Sequence, residues 1–245
     1  MDPRLQSIVE NLDKYEIGLD DVFSFKCRCC GKCCKNRDDL LLNPHDVFRI
    51  AKHFEKNPIE IISEYCEVYI GETSRIPIVR LIPRGNYRAC PFLQDKRCSI
   101  QDDKPTVCSL YPVGRMVKSS NEHESREHVL NTGYIIQPID CGSQKKSHTV
   151  RQWLEKCNIP IEDKFYIEWN KLITELFNIT NEIEKTVSSQ NLEPFFSILM
   201  NLFYLKYDIG MSFISQFVSN KKEALELASS LRDELNNSAN VMEGV

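Results

Sequence analysis

The chain has 245 residues, 42% of them hydrophobic, and a formal net charge of −4. A chain of this length can bury a substantial core, so its 11 cysteines are not required as cross-links in the way that very small secreted domains require them. The odd count would leave at least one thiol unpaired, and the first residues lack the basic start, apolar run and cleavage site of a secretory signal. We therefore expect a cytoplasmic, thiol-reducing environment. The net charge gives no general attraction for nucleic acid, and no stretch reaches the roughly 18 to 20 apolar residues of a membrane span.

The first concentration of cysteines is the stretch FKCRCCGKCCK, residues 25–35. Cys27, Cys30 and Cys33 form two overlapping C-x-x-C steps, a separation that lets a tight turn direct two thiolates at one ion or cluster. Gly31 has no side-chain carbon, so we expect it to take a positive φ angle and to let backbone N–H groups approach sulfur. The spacing predicts a metal site.

The other two cysteines of this stretch have different predicted roles. Cys34 follows Cys33 directly, and neighbouring side chains on an extended or irregular backbone diverge, so the two are expected to serve different metals, or one metal and another role. Cys29 lies off the two-residue step and is not predicted as a ligand. The basic residues around the stretch would lower thiol pKa values and offset thiolate charge, or would form an ordinary solvated face: Lys26, Arg28, Lys32, Lys35 and Arg37.

Two helices and short strands follow. Asn43 is a candidate N-cap with Pro44 at the first helical position. Asn57 and Pro58 form the same pattern and predict a second helix start before IEIISEYCEVYI. Cys66 lies in that second helical stretch and is predicted to be a packed thiol. IPIVRLI and YIIQPI are β-branched runs that predict short strands, while VKSSNEHESREHVLNTG is expected to be a surface loop or a short exposed helix.

A second group of cysteines lies in turn-rich segments and supplies the further thiolates that complete metal sites would need. It consists of Cys90, Cys98, Cys108 and Cys141. With Cys27, Cys30, Cys33 and Cys34 these make eight thiolates, enough for two four-sulfur sites or for one site plus a redox-active pair. Cys157 is predicted to be packed, as Cys66 is. Metal binding is favoured over a metal-free redox disulfide system and over plain burial.

The remaining signals concern the C-terminal part and the histidines. From about residue 160 the apolar positions follow helical spacing in three successive stretches, which predicts a helical bundle with ordinary core side chains. The predicted fold class is α+β, with a small cysteine-rich domain at 1–150 and a helical region at 151–245. The five histidines show no ligand spacing and are expected at the solvated surface; they include His45, His53, His123 and His128. No glycine-rich nucleotide loop or Ser-His-Asp arrangement is present, so catalytic residues stay unassigned.

The cysteine pattern resembles the YkgJ-like cysteine-cluster family, described as a zinc- or iron-chelating domain. CRCCGKCC, LNPHDVFRIAKHF, CPFLQDKRCSIQDDKPTVCSLYP and IDCG carry the resemblance over roughly residues 23 to 142. It implies Cys27, Cys30, Cys33, Cys34, Cys90, Cys98 and Cys108 as pattern cysteines, with Cys141 added. Cys29 is an addition to that pattern, and Gln101 stands where a tyrosine is usual. The family's cysteine set is similar to that of flagellin lysine-N-methylases, which implies an iron–sulfur cluster and a peptide- or protein-modifying activity.

Three classes of function are therefore compared. In the first, favoured class the cysteines hold a 4Fe-4S cluster that transfers electrons, or that binds a cofactor or substrate at an open iron. In the second they hold zinc in a structural four-thiolate site, and the protein is an interaction or regulatory module. In the third, adjacent cysteines such as Cys33 and Cys34 form a metal-delivery site or a redox sensor. A protein or peptide partner is expected, and neither a nucleic acid nor a membrane.

Overall fold

The structure is a computed structural model that describes residues 6, 8, 10–120, 129–139 and 141–243. The helices are α1 (Leu12–Tyr15), α2 (Pro44–Phe54), α3 (Pro58–Tyr65), α4 (Thr106–Leu110), α5 (Val150–Lys156), α6 (Lys164–Ile183), α7 (Glu193–Met200) and α8 (Phe213–Glu243). The strands are β1 (Glu16–Ile17), β2 (Val22–Lys26), β3 (Leu41–Leu42), β4 (Cys66–Ile70), β5 (Pro77–Leu81), β6 (Leu93–Gln94), β7 (Arg97–Cys98), β8 (Val113–Ser120), β9 (Val129–Ile136) and β10 (Ser143–Thr149). This mixture of helices and short antiparallel strands confirms the predicted α+β class.

The chain forms two compact units, each built from two segments. Unit 1 comprises Met1–Leu41 and Arg80–Ile167, and unit 2 comprises Leu42–Val79 and Glu168–Val245. The chain passes from one unit to the other three times, within β3, within β5 and within α6. The predicted division into 1–150 and 151–245 stays a prediction.

Unit 1 contains two antiparallel sheets. One has the order β1-β9-β8, and its main hairpin pairs Val113 with Ile136 and continues in register to Ser120 and Val129. The second pairs β10 with β2. The stretch predicted as a loop between residues 117 and 133 therefore begins and ends in strands, because the hairpin continues on both sides, while positions 121–128 lie outside the described residues.

The core of unit 1 is aromatic and lies beside β2, β10 and α5. Trp153 packs edge-on against Phe23 and Phe25, with ring centroids 5.7 and 5.8 Å apart. Its indole N–H donates to the carbonyl oxygen of Leu110 over 2.7 Å, so the polar edge of the ring is satisfied within the core. Thr149 caps α5 by accepting from the Gln152 N–H over 3.2 Å. These contacts fix both ends of a short helix that carries Cys157 at its C-cap.

The predicted helix starts of unit 2 are confirmed. The Asn43 side chain accepts from the Asp46 N–H over 2.8 Å, and Pro44 begins α2. Pro58 begins α3 in the same way. The second helix is shorter than predicted, because it ends at Tyr65 and the chain continues as β4, whose β-branched and aromatic residues favour a strand. Cys66 is thus the buried first residue of a strand and not part of a helix.

The helical C-terminal region is also confirmed, with one boundary moved. Trp169, Leu172 and Leu176 lie buried on one face of α6, and Trp169 contacts Phe203 edge-to-face at 5.3 Å. The second of the three apolar stretches, 192–218, is not one continuous helix, because α7 passes into a π-helical turn at Asn201–Leu205 and then stops. The turn around Gly210 separates it from α8, which is a single helix of 31 residues. No helix in the described part of the chain has the length and apolar character needed to cross a bilayer.

Candidate metal centre

A cavity of about 700 Å³ lies within unit 1, and ten of the 11 cysteines of the chain line it. Its lining contains ten cysteines: Cys27, Cys29, Cys30, Cys33, Cys34, Cys90, Cys98, Cys108, Cys141 and Cys157. All eight predicted ligand cysteines are among them. The sequence interpretation set aside Cys29 and Cys157, whereas the structure places both on the same cavity. Cys66 lies in unit 2 instead.

The first cysteine stretch is a tight turn followed by one turn of 3₁₀ helix, Lys32–Cys34. Gly31 caps that turn with φ +68°, as predicted from its position after Cys30. Cys29 also has a positive φ of 50°, an uncommon conformation for a residue with a side chain. These two left-handed residues, Cys29 and Gly31, both line the cavity together with the cysteines around them.

Cys33 and Cys34 do not diverge as predicted. Their sulfur atoms are 3.9 Å apart, because both residues lie on the 3₁₀ turn and not on extended backbone. Two sulfurs that share a tetrahedral zinc ion at about 2.3 Å would be roughly 3.8 Å apart, so this spacing suits two ligands of one ion. The expected divergence of the two side chains is therefore wrong, while the roles of Cys33 and Cys34, in different metals or in one metal and another role, stay a prediction.

The first stretch is tied to the second cysteine group through the backbone. The Cys90 N–H donates to the Cys34 carbonyl oxygen over 2.7 Å, and the Asn36 N–H donates to Arg88 O over 2.9 Å. An antiparallel bridge between Lys35 and Ala89 lies between these two bonds. Residues far apart in sequence are thus held side by side at the cavity.

Cys98 is placed by a short hairpin. β6 pairs with β7 so that Leu93 is opposite Cys98, and the two turn residues, Asp95 and Lys96, both have positive φ angles of 45° and 64°. This conformation is that of the tight turns which match the twist of a hairpin. The hairpin carries Cys98, on β7, back toward Cys90, which lies just before β6.

Three of the cysteines share one local feature. The Cys27 sulfur accepts from the N–H of Cys29, two residues further along, over 3.3 Å. The Cys90 and Cys98 thiols each accept a backbone hydrogen bond from the residue two positions later, Phe92 and Ile100. Hydrogen bonds to sulfur favour the thiolate, which is the form that binds metal. The predicted approach of N–H groups to sulfur is therefore present, and at more positions than Gly31 alone suggested.

Cys108 and Cys157 come from two helices that face each other in the unit 1 core. Cys108 lies within α4, where its N–H donates to Pro105 O over 2.9 Å. The Cys157 thiol donates to the Ser109 carbonyl oxygen over 3.1 Å. Nothing in the local sequence EKCNIP marks Cys157 as a cavity residue, because its position depends on the tertiary packing of α5 against α4.

Cys141 is brought to the cavity by the pairing of β2 with β10. Ser143 is opposite Lys26, so the residue after β2, Cys27, and the residue shortly before β10, Cys141, lie at the same end of the ribbon. Gly142 has φ +74°, and a Cβ added there would lie 2.5 Å from the Phe25 ring. The Cys141 thiol contacts the Tyr111 hydroxyl at 3.5 Å. A glycine is required for this close approach.

The cavity lining is strongly cationic although the whole chain is acidic. Among the described residues, Asp102 is the one acidic residue in the lining, against six basic residues: Arg28, Arg37, Lys96, Arg97, Lys104 and Lys156. Arg37 is held by Asp39 through two hydrogen bonds of 2.6 and 3.0 Å, and both side chains are almost fully buried. Of the five basic residues singled out in the sequence, Arg28 and Arg37 line the cavity, whereas Lys26, Lys32 and Lys35 are exposed. Lys104 and Lys156 were missed.

The pKa values of several cavity thiols are raised in the metal-free chain. The hydrogen bond to Cys34, and then burial, raise the pKa of Cys33 far above its ordinary value. Burial raises the pKa of Cys90 to about 11, against the opposing effect of its backbone hydrogen bond. Burial likewise raises the pKa of Cys98, and the nearby ammonium of Lys104 opposes that rise. A bound cation would reverse the balance by stabilising the thiolates.

The donor atoms line the cavity without forming a closed ligand shell. Within the described ranges, no three Cys, His, Asp or Glu side chains are close enough to hold one ion together. Their chemistry nevertheless fits a thiolate-bound metal, because soft sulfur donors, N–H···S bonds and neutralising cations are all present. Metal binding would have to draw the thiols together.

The histidines contribute no donors to this cavity. His148 is buried, contrary to the predicted surface position, because its cross-strand pairing with Phe23 places it in the core, where its Nε2 atom contacts the Phe25 carbonyl oxygen at 3.1 Å. His45 stacks on Phe213 at 4.5 Å in unit 2. His53 is exposed, and His123 and His128 lie outside the described residues.

Comparison with known proteins agrees with this chemistry. Residues 26–132 match a family model described as "CxxCxxCC: Putative zinc- or iron-chelating domain". This part of the chain is similar to the cysteine-cluster family, the same family that the sequence pattern resembles. The match includes seven of the eight predicted ligand cysteines of the cysteine-cluster domain, and Cys141 lies beyond its end. No curated protein and no solved structure matches the chain.

Proposed function

We propose that the cysteine-cluster domain holds an iron–sulfur centre of the 4Fe-4S type, and that this centre has a redox role or takes part in modifying a protein or peptide. The observation that carries the proposal is the collection of ten cysteine side chains around one cavity of about 700 Å³. A single ion needs only four thiolates and far less room, since one water molecule has a share of about 30 Å³ in the liquid. A cluster, alone or with a second site, uses more of what the cavity offers.

The chain's own residues would hold and neutralise such a centre. Cys27, Cys90 and Cys98 already receive N–H···S hydrogen bonds, which favour the thiolate. Arg37 and Lys104 supply positive charge at the cavity wall, where a thiolate-bound centre is negative. When bound, an iron–sulfur cluster supplies one-electron transfer or an iron with an open coordination position.

The proposal also includes the cellular compartment of the protein and the class of its partner. The many free thiols favour a cytoplasmic, reducing environment. The likeness of the cysteine set to flagellin lysine-N-methylases favours a protein or peptide partner. Methyl transfer is the reaction that this likeness suggests first.

Zinc is a second candidate, supported by one specific distance. The 3.9 Å between the Cys33 and Cys34 sulfurs is close to the edge of a zinc–thiolate tetrahedron, roughly 3.8 Å. In that case the site would stabilise unit 1 and the protein would act as an interaction module.

Anaerobic purification distinguishes the two candidates. An iron–sulfur protein would be brown, with broad visible absorption, and would contain iron and acid-labile sulfide in equal amounts. Colourless protein with stoichiometric zinc would contradict the iron–sulfur proposal and support the zinc candidate. Incubation with S-adenosylmethionine and lysine-containing peptides then tests methyl transfer, and an unchanged peptide mass would count against it.

Matched cysteine variants test the ligand set. Cys30→Ser and Cys108→Ser should each lose most of the bound metal, because both cysteines line the cavity. Cys66→Ala is the control, since Cys66 is buried in unit 2, and its metal content should be unchanged. Equal losses in all three variants would show that metal content follows general stability and not ligation.

A further inference from the structure

The cavity is larger than the metal centre proposed for it. At roughly 30 Å³ for each water-sized atom, the eight iron and sulfide atoms of a cluster would occupy about 240 Å³. More than half of the 700 Å³ would remain. Cavities of roughly 300 to 1,000 Å³ are the usual size of sites for small organic ligands. The volume alone therefore leaves room for a second occupant.

The positive charge of the lining indicates that the second occupant is negatively charged. Lys96, Arg97, Lys104 and Lys156 line the cavity in addition to the two arginines of the first cysteine segment. Lys104 lies close enough to Cys33, Cys98 and Cys157 to oppose the rise in their pKa values. Lys156 lies at the end of α5, beside Cys157. A cluster carries only part of the negative charge that so many cations would balance.

Four aromatic side chains form another part of the cavity wall. Phe25, Phe92, Tyr111 and Trp153 all line it. The Lys156 ammonium lies 4.3 Å from the centre of the Trp153 ring, so a cation and a flat apolar surface are adjacent at one place. An anion with a planar apolar group would contact both.

We propose that the part of the cavity not filled by the metal centre binds a small organic anion, a carboxylate or a phosphate attached to a planar apolar group, between Lys104, Lys156 and the aromatic wall at Trp153. The inference rests on the proposed function, because it assigns the substrate or cofactor class of the same cavity. The thiolate centre would lie at one side of the ligand, and the cations would hold its charged group.

Calorimetric titration of the full chain with three probes of similar shape tests the charge requirement. Phenyl phosphate and benzoate should bind, and the tighter of the two identifies the preferred anion. Benzylamine, which carries the opposite charge on the same ring, should not bind. Inorganic phosphate, which has no ring, should bind more weakly than phenyl phosphate. Equal binding of benzylamine, or of inorganic phosphate and phenyl phosphate, would overturn the proposal.

Charge-removing variants locate the site. Lys104→Gln and Lys156→Gln should each weaken binding of the better anion by about tenfold, the usual order for one lost charged hydrogen bond. Lys145→Gln is the matched control, because Lys145 is an exposed lysine of unit 1 outside the lining, and it should bind as the native chain does. A Trp169→Phe variant leaves Trp153 as the only tryptophan, and the anion should then change its fluorescence. An equal loss in Lys145→Gln, or no fluorescence change at Trp153, would contradict the assignment.

The metal content of the same samples separates the two proposals. Protein that contains metal but binds neither anion would overturn this inference and leave the metal proposal standing. Protein that binds the anions but takes up neither iron nor zinc would overturn the metal proposal, while the anion site would stand as an independent property of the cavity.

Discussion

Gly142 lies directly before β10 and against Phe25 and Lys26 of β2, and replacing it with alanine should strongly destabilise unit 1. Its φ of +74° is left-handed, which costs a residue with a Cβ about 1–2 kcal/mol. The new carbon would also lie 2.5 Å from the Phe25 ring and 2.8 Å from the Lys26 carbonyl oxygen. Relieving such overpacking costs about 1–3 kcal/mol more, so we expect a total loss of about 2–5 kcal/mol.

Gly31→Ala is the matched comparison. Gly31 has nearly the same φ, +68°, but an added Cβ would meet its nearest neighbour, a Leu93 methyl group, at an ordinary 3.4 Å. We expect it to lose only the backbone cost of about 1–2 kcal/mol. The change in unfolded-state entropy is the same in both variants and cancels.

Urea unfolding of the two variants measures the difference. The protein should be kept metal-free with chelator and reductant, because a bound metal would add its own stabilisation. Gly142→Ala should unfold at a clearly lower urea concentration than Gly31→Ala. If the two variants are equally stable, the close packing of Gly142 against Phe25 is not tight in solution and the reasoning is refuted.

Further predictions concern protons, an ion pair and a buried thiol. Burial raises the pKa of Cys90 to about 11 and also raises that of Cys98, so metal binding must release protons from these thiols. Zinc affinity measured by chelator competition should therefore rise by up to about tenfold per pH unit for each proton released. An affinity independent of pH would contradict this prediction. Asp163→Ala should destabilise the chain by about 3 kcal/mol in chemical unfolding, because the buried Arg115 guanidinium, 2.7 Å from Asp163, loses its carboxylate partner. Asp163→Asn still accepts a hydrogen bond from the Tyr166 N–H and should recover about 1 kcal/mol of that loss. No recovery in Asp163→Asn would show that this helix cap is unimportant. Burial raises the pKa of Cys66 from 9.0 to about 12, and a raised folded-state pKa gives stability that is lost as pH rises. Between pH 9 and 12 the free energy of unfolding of the native chain should therefore fall, relative to that of Cys66→Ala, by on the order of 1.4 kcal/mol per pH unit. Parallel curves of unfolding free energy against pH for the two proteins would refute this.

Local features of the site were well predicted from sequence where one residue type has one physical reason to be there. The Asn-Pro pairs marked the helix starts because a side-chain acceptor and a fixed φ are both needed at those positions. Gly31 was expected at positive φ and has it. The spacing of the cysteines in two groups predicted a split site, and the structure brings both groups to one cavity.

Features that depend on tertiary contacts were not accessible from sequence. Cys157 lies on the cavity because Trp153 anchors α5 to the Leu110 carbonyl oxygen, a contact 43 residues apart in the chain. His148 is buried because the register of β10 places it opposite Phe23. Lys104 carries no motif of its own, and only its position among the thiols gives it a role.

The backbone bond between Cys90 and Cys34 has a consequence for how the protein is made. About a hundred residues separate Cys34 from Cys141, and ribosomes extend chains by about 5 to 20 residues per second, so roughly 5 to 20 s pass between the synthesis of these two residues. During that interval the cysteines of FKCRCCGKCCK exist without the residues that complete their cavity. The cavity is therefore complete only after the nascent chain has passed Cys141.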